Sequence, residues 1–328
     1  MENIAAMGIG GTNFTFALGT PSGELLTQIH TIDTDLHRID EQVLTAIERL
    51  QSAGRVDAVS IACKGLVDPD TGRIEGMNRP DGSMAPPTDI GTAVENTFDL
   101  PLCLENDGQS AALAEHRLGV GKKADTTVHI TMGTGIGGGV VERDRLIRGT
   151  DNFAAEFGSI IVESSQDPDR CTTWESVCSG PGILSYTIDH LSNEDEETSL
   201  HEPEELSPED VFAHAEAGDR VAQQYLKQIG RYNAIGCATV SNLFNPDVIA
   251  LGGGVALNNF ETIKAGIERS LAEHCIHEPP AIERSRLGAD IGVYGALVQF
   301  EDWSSASTSR STPKSSPQEV AQTEVPHD

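Results

Sequence analysis

The sequence predicts an α/β protein with mixed β-sheets, and three observations indicate this class. Apolar strand-like runs alternate with amphipathic helical stretches along the 328 residues, as in α/β proteins. Glycine-rich loops at 8–13 and 133–138 each lie between two strand-like runs, so both predict antiparallel hairpins rather than strand–helix–strand units. A third glycine cluster, at 252–254, follows a buried apolar strand and precedes a helix. Two such hairpins, one in each half, suggest two lobes with a cleft between them.

The individual elements follow from local pattern. Strands are predicted in the first hairpin, in the β-rich run 58–68, in the second hairpin within 127–150 and in the run that begins at residue 247. Amphipathic spacing predicts helices at 40–53, 107–118, 208–217, 222–243 and 260–274. The acidic stretch 192–210 is expected to be a solvated insertion that ends in an N-cap at Ser207. Residues 304–328 have almost no core-forming side chains, and we expect them to be a disordered tail.

Charge is the unusual bulk property of the chain, with 51 acidic against 22 basic residues and a formal net charge of −29. Such a balance argues against nucleic acid or an anionic membrane as a partner, since both attract positive surfaces. The acids are spread along the chain and only six residues are lysines, which favours a protein of a high-salt cytoplasm. The alternative is an ordinary acidic protein with a charged tail.

Other bulk features agree with a cytoplasmic location. No apolar run approaches bilayer-spanning length, and the N-terminus lacks the pattern of a secretory signal. The six cysteines have no disulfide-framework spacing, and we expect them to be reduced and mostly buried.

The second glycine loop, "GTGIGG" (133–138), spells the dinucleotide-binding fingerprint but lacks its context. That fingerprint requires a helix after the last glycine, whereas this loop is followed by β-branched residues and a turn. A glycine hairpin can still wrap an anion with its backbone N–H groups. Three such junctions in one chain indicate phosphate binding, although any single one could be only a turn.

The stretch "LPLCLENDGQSAALAEHRLG" (100–119) carries the candidate chemistry. A short strand delivers Glu105, Asn106 and Asp107 to the start of a helix. Asp107 could serve as a helix cap, worth about 1 kcal/mol. It could equally be the base that a kinase holds against a sugar hydroxyl.

Together these segments resemble the ROK family of sugar kinases and repressors, in order over roughly residues 5–300. "GIGGT" (8–12) resembles the first phosphate loop of the family, "LENDGQSAALAE" its catalytic motif and "MGTGIGGG" (132–139) its second phosphate loop. "AAEFGS" (154–159) and "WESVCSGPG" (174–182) resemble the two sugar-binding segments, and residues 207–256 resemble the nucleotide-side helices and strand.

The resemblance implies an actin-like, ribonuclease-H-like two-lobe sugar kinase fold that binds ATP and sugar in the cleft. It implies that Asp107 is the general base, and that the sugar is bound by Gly65, Asn106, Glu156 and Glu175. It implies phosphate contacts from Gly10, Gly11, Thr12, Gly133, Thr134 and Gly135, and close approach of the adenosine at Gly253 and Gly254. One lobe would comprise 1–117 plus about 288–303 and the other 118–287. A homodimer or homotetramer is expected.

Three departures from the family pattern bear on function. Gly8 replaces an aspartate that helps to organise the water shell of Mg²⁺, so we expect Mg²⁺ to be held mainly through ATP oxygens. Ser159 replaces a zinc-binding histidine, and Cys171 and Cys178 lack the Cys-x-Cys run, so no zinc site is expected. Family repressors carry a DNA-binding module before the first loop, which here begins at residue 8, so none is expected.

The leading hypothesis is an ATP-dependent hexose kinase, with glucose as the first candidate substrate. One alternative is a non-catalytic sugar-binding or regulatory protein, motivated by Gly8. Another is a kinase for fructose, mannose or an N-acetylated hexosamine, since the sugar glutamates do not separate these substrates. Polyphosphate as donor is disfavoured because so acidic a chain shows no basic groove for a polyanion.

Overall fold

The structure is a computed structural model that describes residues 2–77, 83–164, 171–192, 196–201, 203 and 205–310. The strands are β1 (Ile4–Ile9), β2 (Asn13–Gly19), β3 (His30–Asp33), β4 (Ala58–Cys63), β5 (Leu66–Asp68), β6 (Arg73–Gly76), β7 (Thr88–Asp89), β8 (Leu102–Asn106), β9 (Thr126–Met132), β10 (Ile136–Glu142), β11 (Arg145–Leu146), β12 (Ile161–Ser164), β13 (Cys171–Thr173), β14 (Val248–Gly252) and β15 (Ala281–Arg284). The helices are α1 (Ile39–Ala53), α2 (Ile90–Phe98), α3 (Asp107–Arg117), α4 (Trp174–Cys178), α5 (Gly180–Leu191), α6 (Pro208–Glu216), α7 (Arg220–Phe244), α8 (Gly254–Asn258), α9 (Phe260–Glu268), α10 (Leu271–His274) and α11 (Ile291–Arg310).

Two five-stranded mixed sheets form the framework, as the sequence predicts. The first has the order β3-β2-β1-β4-β8, in which β1 is antiparallel to β2 and parallel to β4. The second has the order β11-β10-β9-β14-β15, in which β9 is antiparallel to β10 and parallel to β14. Each sheet therefore begins with a hairpin and continues with parallel strands. Both predicted hairpins are confirmed, and each sheet has its own apolar cluster.

Helices α3 and α11 join the two sheets at the centre of the molecule. Helix α11 packs on β1 and β4 of the first sheet and on α3, while α3 also contacts β9 and β10 of the second sheet. Buried Gln299 of α11 bonds Ser110 of α3, and its amide nitrogen donates to the Ser60 hydroxyl (3.1 Å) and the Ile61 carbonyl (2.9 Å). This packing fixes the N-terminus of α3 between the sheets.

The predicted helices at 40–53, 107–118, 208–217 and 222–243 are present with ends shifted by at most two residues. Ser207 caps α6 as predicted: its hydroxyl accepts from the Asp210 N–H, 3.3 Å away. Leu200, inside the predicted solvated insertion, is instead buried beneath α7. Leu206 of the same stretch packs against this cluster as well, and the acidic composition of the stretch did not reveal these apolar contacts.

Three expectations about elements need correction. The single helix predicted at 260–274 is two helices, because Ser270 between them has a non-helical backbone with φ of −135°. The β-rich run 58–68 is two strands, because Gly65 turns the chain with φ of +100°. The last helix continues to Arg310, so residues 304–310 are helical and not part of a disordered tail. A helix that is nucleated by packed residues can extend into polar sequence. Residues 311–328 lie outside the described part of the chain.

Four of the six cysteines are buried as expected, whereas Cys171 is exposed and Cys275 is intermediate. Within the described ranges, no helix combines the length and the apolarity needed to cross a bilayer.

Candidate active site

A cavity of about 470 Å³ lies where the two sheets meet. The β1–β2 turn, the N-terminus of α3 and the β14–α8 junction form its walls. Its lining includes several residues that the sequence assigned to phosphate binding and catalysis: Gly10, Gly11, Thr12, Asp107, Gly253 and Gly254. Residues more than 240 positions apart in the sequence thus share one site. The cavity shares Leu257 and Asn258 with a groove of about 1060 Å³ beside α7 and α9.

Asn106, and not Asp107, caps helix α3. The Asn106 Oδ1 atom accepts from the backbone N–H groups of Gly108 (2.9 Å) and Gln109 (3.2 Å), while its Nδ2 donates to the Gly65 carbonyl (3.1 Å). Asp107 is the first helical residue, and its Oδ1 lies 2.9 Å from the Gly108 N–H. The N-cap is therefore Asn106, so capping does not account for Asp107. The Asp107 carboxylate lines the cavity instead.

The pKa values of two acidic side chains of the site, Asp107 and Glu156, are raised. Burial raises the pKa of Asp107. The positive charge of Lys64 and the hydrogen bond from the Gly108 N–H act in the opposite direction and lower this pKa by less. Burial also raises the pKa of Glu156, and the negative charges of Glu175 and Asp107 raise it further. The structure thus brings together three carboxylates that lie as much as 68 residues apart in the sequence (107, 156 and 175).

Glu156 is placed by a loop with an unusual backbone. Asn152 and Ala155 both have positive φ, +65° and +70°, which is uncommon for residues other than glycine. Sparsely populated conformations of this kind persist when surrounding contacts hold them, and they cluster at functional sites. A short 3₁₀ helix at Phe157–Ser159 follows directly, and a Cβ at its central residue, Gly158, would lie 3.1 Å from the Glu175 side chain.

Buried Glu105 holds that loop, and sequence reasoning assigned it no role. Its Oε2 accepts from the Arg148 Nε (2.7 Å) and its Oε1 from the Asn152 Nδ2 (2.9 Å). Gln109 of α3 adds a bond from its Nε2 to the Asn152 carbonyl (2.9 Å). Glu105 therefore links the end of β8, beside Asp107, to the loop that presents Glu156. No local sequence signal marks this link, because its partners lie 43 and 47 residues away.

Glu175 lies at the start of α4, whose N-terminus is capped by Thr173 in a capping box. Its Oε2 accepts from the Ile136 N–H (2.7 Å), directly after the second glycine loop. A Cβ at Gly135 would lie 2.6 Å from the same oxygen, so only glycine permits this approach. Glu175 thus joins the candidate sugar side to the second loop.

The glycine loops leave the backbone open where phosphates could lie. A Cβ at Gly254 would meet no atom within 4 Å, and one at Gly133 would meet only the Gly254 nitrogen at 3.8 Å. Gly253 has φ of +82°, and a Cβ there would lie 2.4 Å from the Met132 carbonyl oxygen. Buried His129 also lines the cavity, and its Nδ1 has no hydrogen-bond partner among the described residues. Burial lowers the pKa of His129 to about 4, so the ring is neutral near pH 7. The open backbone of these glycine loops fits the phosphates of a nucleoside triphosphate.

Gly8 lines the cavity and approaches helix α11 closely. A Cβ at Gly8 would lie 2.8 Å from the Thr15 hydroxyl oxygen and 3.2 Å from the backbone of Gly292. Asp107 is therefore the only carboxylate among the described residues lining the cavity. In the described ranges, no three His, Cys, Asp or Glu side chains are grouped to hold a metal ion. Cys171 in β13 is exposed, whereas Cys178 in α4 is buried.

Comparison with known proteins assigns the chain to a family. The profile of the ROK family matches residues 4–302. The chain is 30% identical to a beta-glucoside kinase of Listeria monocytogenes, covering 90% of this chain and 97% of the relative, and 28% identical to a glucokinase of Thermotoga maritima, covering 77% and 82%. A solved ROK glucokinase of Streptomyces griseus, in complex with glucose and AMPPNP, superposes with a TM-score of 0.72 at 26% identity, covering 90% of this chain and 98% of that one. The chain described here is a member of the ROK family, with the actin-like, ribonuclease-H-like fold of its sugar kinases.

Proposed function

We propose that this protein is an ATP-dependent hexose kinase that phosphorylates the 6-hydroxyl of glucose. The observation that carries the proposal is the Asp107 carboxylate, which lines the candidate phosphate cavity and interacts electrostatically with Glu156. A base in that position can contact a sugar hydroxyl on one side and face a terminal phosphate on the other. The similarity to glucokinases and to a glucokinase structure with glucose and AMPPNP supports the proposal.

In the proposed reaction, Asp107 accepts the proton of the attacking hydroxyl. Its raised pKa makes the Asp107 carboxylate a better proton acceptor than that of an ordinary aspartate. Glu156, Glu175 and Gly65 would hold the ring, and carboxylates suit this role because each can accept two hydroxyl hydrogen bonds. The Asn106 oxygen is engaged as the cap of α3, so Asn106 would contact sugar through the remaining capacity of its amide group.

The nucleotide would bind across the glycine loops. The phosphates would lie against the first loop (Gly10, Gly11 and Thr12) and the second (Gly133, Thr134 and Gly135). The N–H groups of Gly10 and Gly133 bond within their own loops (both 2.9 Å), so N–H donation to phosphate oxygens would come from the other four residues. The adenosine would pass Gly253 and Gly254 towards the groove that shares Leu257 and Asn258 with the cavity. Bound Mg²⁺ would supply charge neutralisation and would be held mainly by phosphate oxygens, since position 8 offers no carboxylate. The two lobes, 1–117 plus about 288–303 and 118–287, would close on both substrates.

Two alternatives to a glucose kinase have an observation in their favour, one a different substrate and one a protein without catalysis. The similarity to a beta-glucoside kinase makes a phosphorylated glucoside a second candidate product. A non-catalytic sugar-binding protein is favoured by one observation, Gly8, and disfavoured by the retained base.

The test is a turnover assay with purified full-length protein, Mg-ATP and a panel of glucose, mannose, fructose, N-acetylhexosamines and a β-glucoside. The assay would contain about 2–3 M KCl, because the charge balance implies a need for near-complete screening. We expect ADP formation that depends on glucose. Turnover with a different sugar would show that the protein is a kinase whose substrate is that sugar and not glucose. A sugar-induced rise of the melting temperature without turnover under any condition would refute the kinase.

A further inference from the structure

A lysine lies between the two phosphate loops. Lys64 follows the last residue of β4, and its backbone N–H donates to the Ile9 carbonyl of β1 (2.8 Å). Its Nζ donates to the Thr134 hydroxyl in the second loop (3.0 Å). The same Nζ would lie 3.7 Å from a Cβ built on Gly11 in the first loop. The ammonium of Lys64 is therefore within reach of both loops at once.

This ammonium is also the charge that acts on the base. Its positive charge is the largest effect that lowers the pKa of Asp107, against the stronger raising effect of burial. The side chain is half-buried, and it approaches the phosphate cavity at the lining residue Gly11 without lining the cavity itself. No lysine or arginine occurs among the described residues that line the cavity. Lys64 is one of only six lysines in a chain with a net charge of −29.

We propose that Lys64 is a catalytic residue whose ammonium binds the phosphoryl group during its transfer from nucleotide to sugar. This inference rests on the proposed kinase function. The sugar hydroxyl oxygen forms a bond to the γ-phosphorus, the bond from that phosphorus to the β–γ bridging oxygen breaks, and ADP leaves. The hydroxyl proton passes to Asp107, while Lys64 keeps its own protons and stabilises the charge on the transferring oxygens.

The position suits this role for a physical reason. Phosphoryl transfer depends on positioning and charge neutralisation more than on covalent chemistry, so a cation held between the two loops can contribute directly. Without a carboxylate at position 8 to organise Mg²⁺, a protein cation beside the γ-phosphate supplies part of that neutralisation. The Thr134 hydroxyl holds the flexible side chain in place before the nucleotide arrives.

The experiment compares Lys64→Met and Lys64→Arg with Lys123→Met, a control at an exposed lysine in the turn before β9. Binding of AMPPNP and of ADP is measured for each protein by calorimetry, together with kcat, KM for sugar and the pH profile of kcat.

We expect Lys64→Met to lower kcat on the order of 10²-fold, as the loss of one transition-state donor does elsewhere. Affinity for AMPPNP should fall while that for ADP is retained, because only the former carries a γ-phosphoryl group. The acidic limb of the profile should move to higher pH, since Asp107 loses its neighbouring cation. Lys64→Arg should recover part of kcat.

Each other result overturns the inference. If Lys64→Met has the kcat and AMPPNP affinity of Lys123→Met, the lysine does not contact the transferred group. If AMPPNP and ADP affinities fall equally, Lys64 only closes the cleft through Thr134. If the wild-type chain turns over no sugar, the proposed function fails separately, and the comparison of AMPPNP with ADP still decides whether Lys64 binds a γ-phosphoryl group.

Discussion

The amide oxygen of Asn106 caps helix α3 and leaves the adjacent carboxylate of Asp107 in the cavity. Asn106 Oδ1 accepts from two successive N–H groups at 2.9 and 3.2 Å, whereas Asp107 receives only the first of them. Because the cap is supplied by a neutral neighbour, the aspartate is available for chemistry. The same amide donates to the Gly65 carbonyl at 3.1 Å, which ties helix α3 to the turn after β4.

Asn106→Ala should destabilise the protein by about 1 kcal/mol through loss of the cap. It should also lower turnover, because the start of α3 carries Asp107. Urea denaturation and kcat, measured together, test this expectation. Asn106→Ser, which restores an N-cap without the bond to Gly65, should recover most of the stability. Equal stability of the alanine variant and the wild type would show that the cap contributes nothing.

Glu175→Gln should weaken sugar binding while the fold persists, because glutamine keeps an oxygen for the Ile136 N–H. We expect the KM for sugar to rise about tenfold, equivalent to about 1.4 kcal/mol. The pKa of Glu156 should fall, since one of the charges that raise it is removed. Glu142→Gln, at an exposed end of β10, is the matched control. An unchanged KM in Glu175→Gln would remove Glu175 from the sugar site.

Gly8→Ala should destabilise the protein by about 1–3 kcal/mol, the usual cost of overpacking. The new methyl group would approach the Thr15 hydroxyl and the Gly292 backbone. In a Thr15→Ala background the loss should be smaller, because one of the two contacts is relieved. The four proteins of this cycle can be compared by their free energies of unfolding. A fully additive cycle would mean that Thr15 does not limit the space at position 8.

Arg148→Met should destabilise the protein by about 1–3 kcal/mol, because it leaves the buried Glu105 carboxylate without its charged donor. The KM for sugar should rise as well, since the loop before Glu156 loses one of its anchors. Denaturation and steady-state kinetics provide the two readouts. Arg145→Met, an exposed arginine in β11, should change neither. A stability loss without any change in KM would separate Glu105 from the sugar site.

The spacing of apolar residues along the sequence predicts those helices and hairpins whose formation depends on residues close together in the chain. The buried face of α1, with Val43, Ile47 and Leu50, follows from helical spacing, and both glycine hairpins follow from strands that flank a turn. The break at Ser270 was missed because a polar residue is compatible with either a helix or a turn.

The position of Asp107 beside the glycine loops was predictable from its motif, whereas contacts between residues distant in sequence were not. Glu105 takes its role from Arg148 and Asn152, which only the folded chain brings near. Lys64 carries no local signature, because its significance comes from Thr134, 70 residues away. Such partners are set by how the two sheets pack, and single-sequence periodicity does not encode that packing.

The most direct test of the central claim is Asp107→Asn, assayed for hexose-dependent ADP formation and for thermal stability with and without sugar. Turnover should fall roughly 10²–10⁴-fold, the usual contribution of a general base. The folded-state pKa of Asp107 is raised, so its ionisation opposes folding once the pH exceeds the unfolded value. The variant should therefore melt at the wild-type temperature or above it at neutral pH, and this difference should shrink as the pH falls. Sugar should still raise its melting temperature. Turnover within tenfold of the wild type, in a variant that folds and binds sugar, would contradict the account.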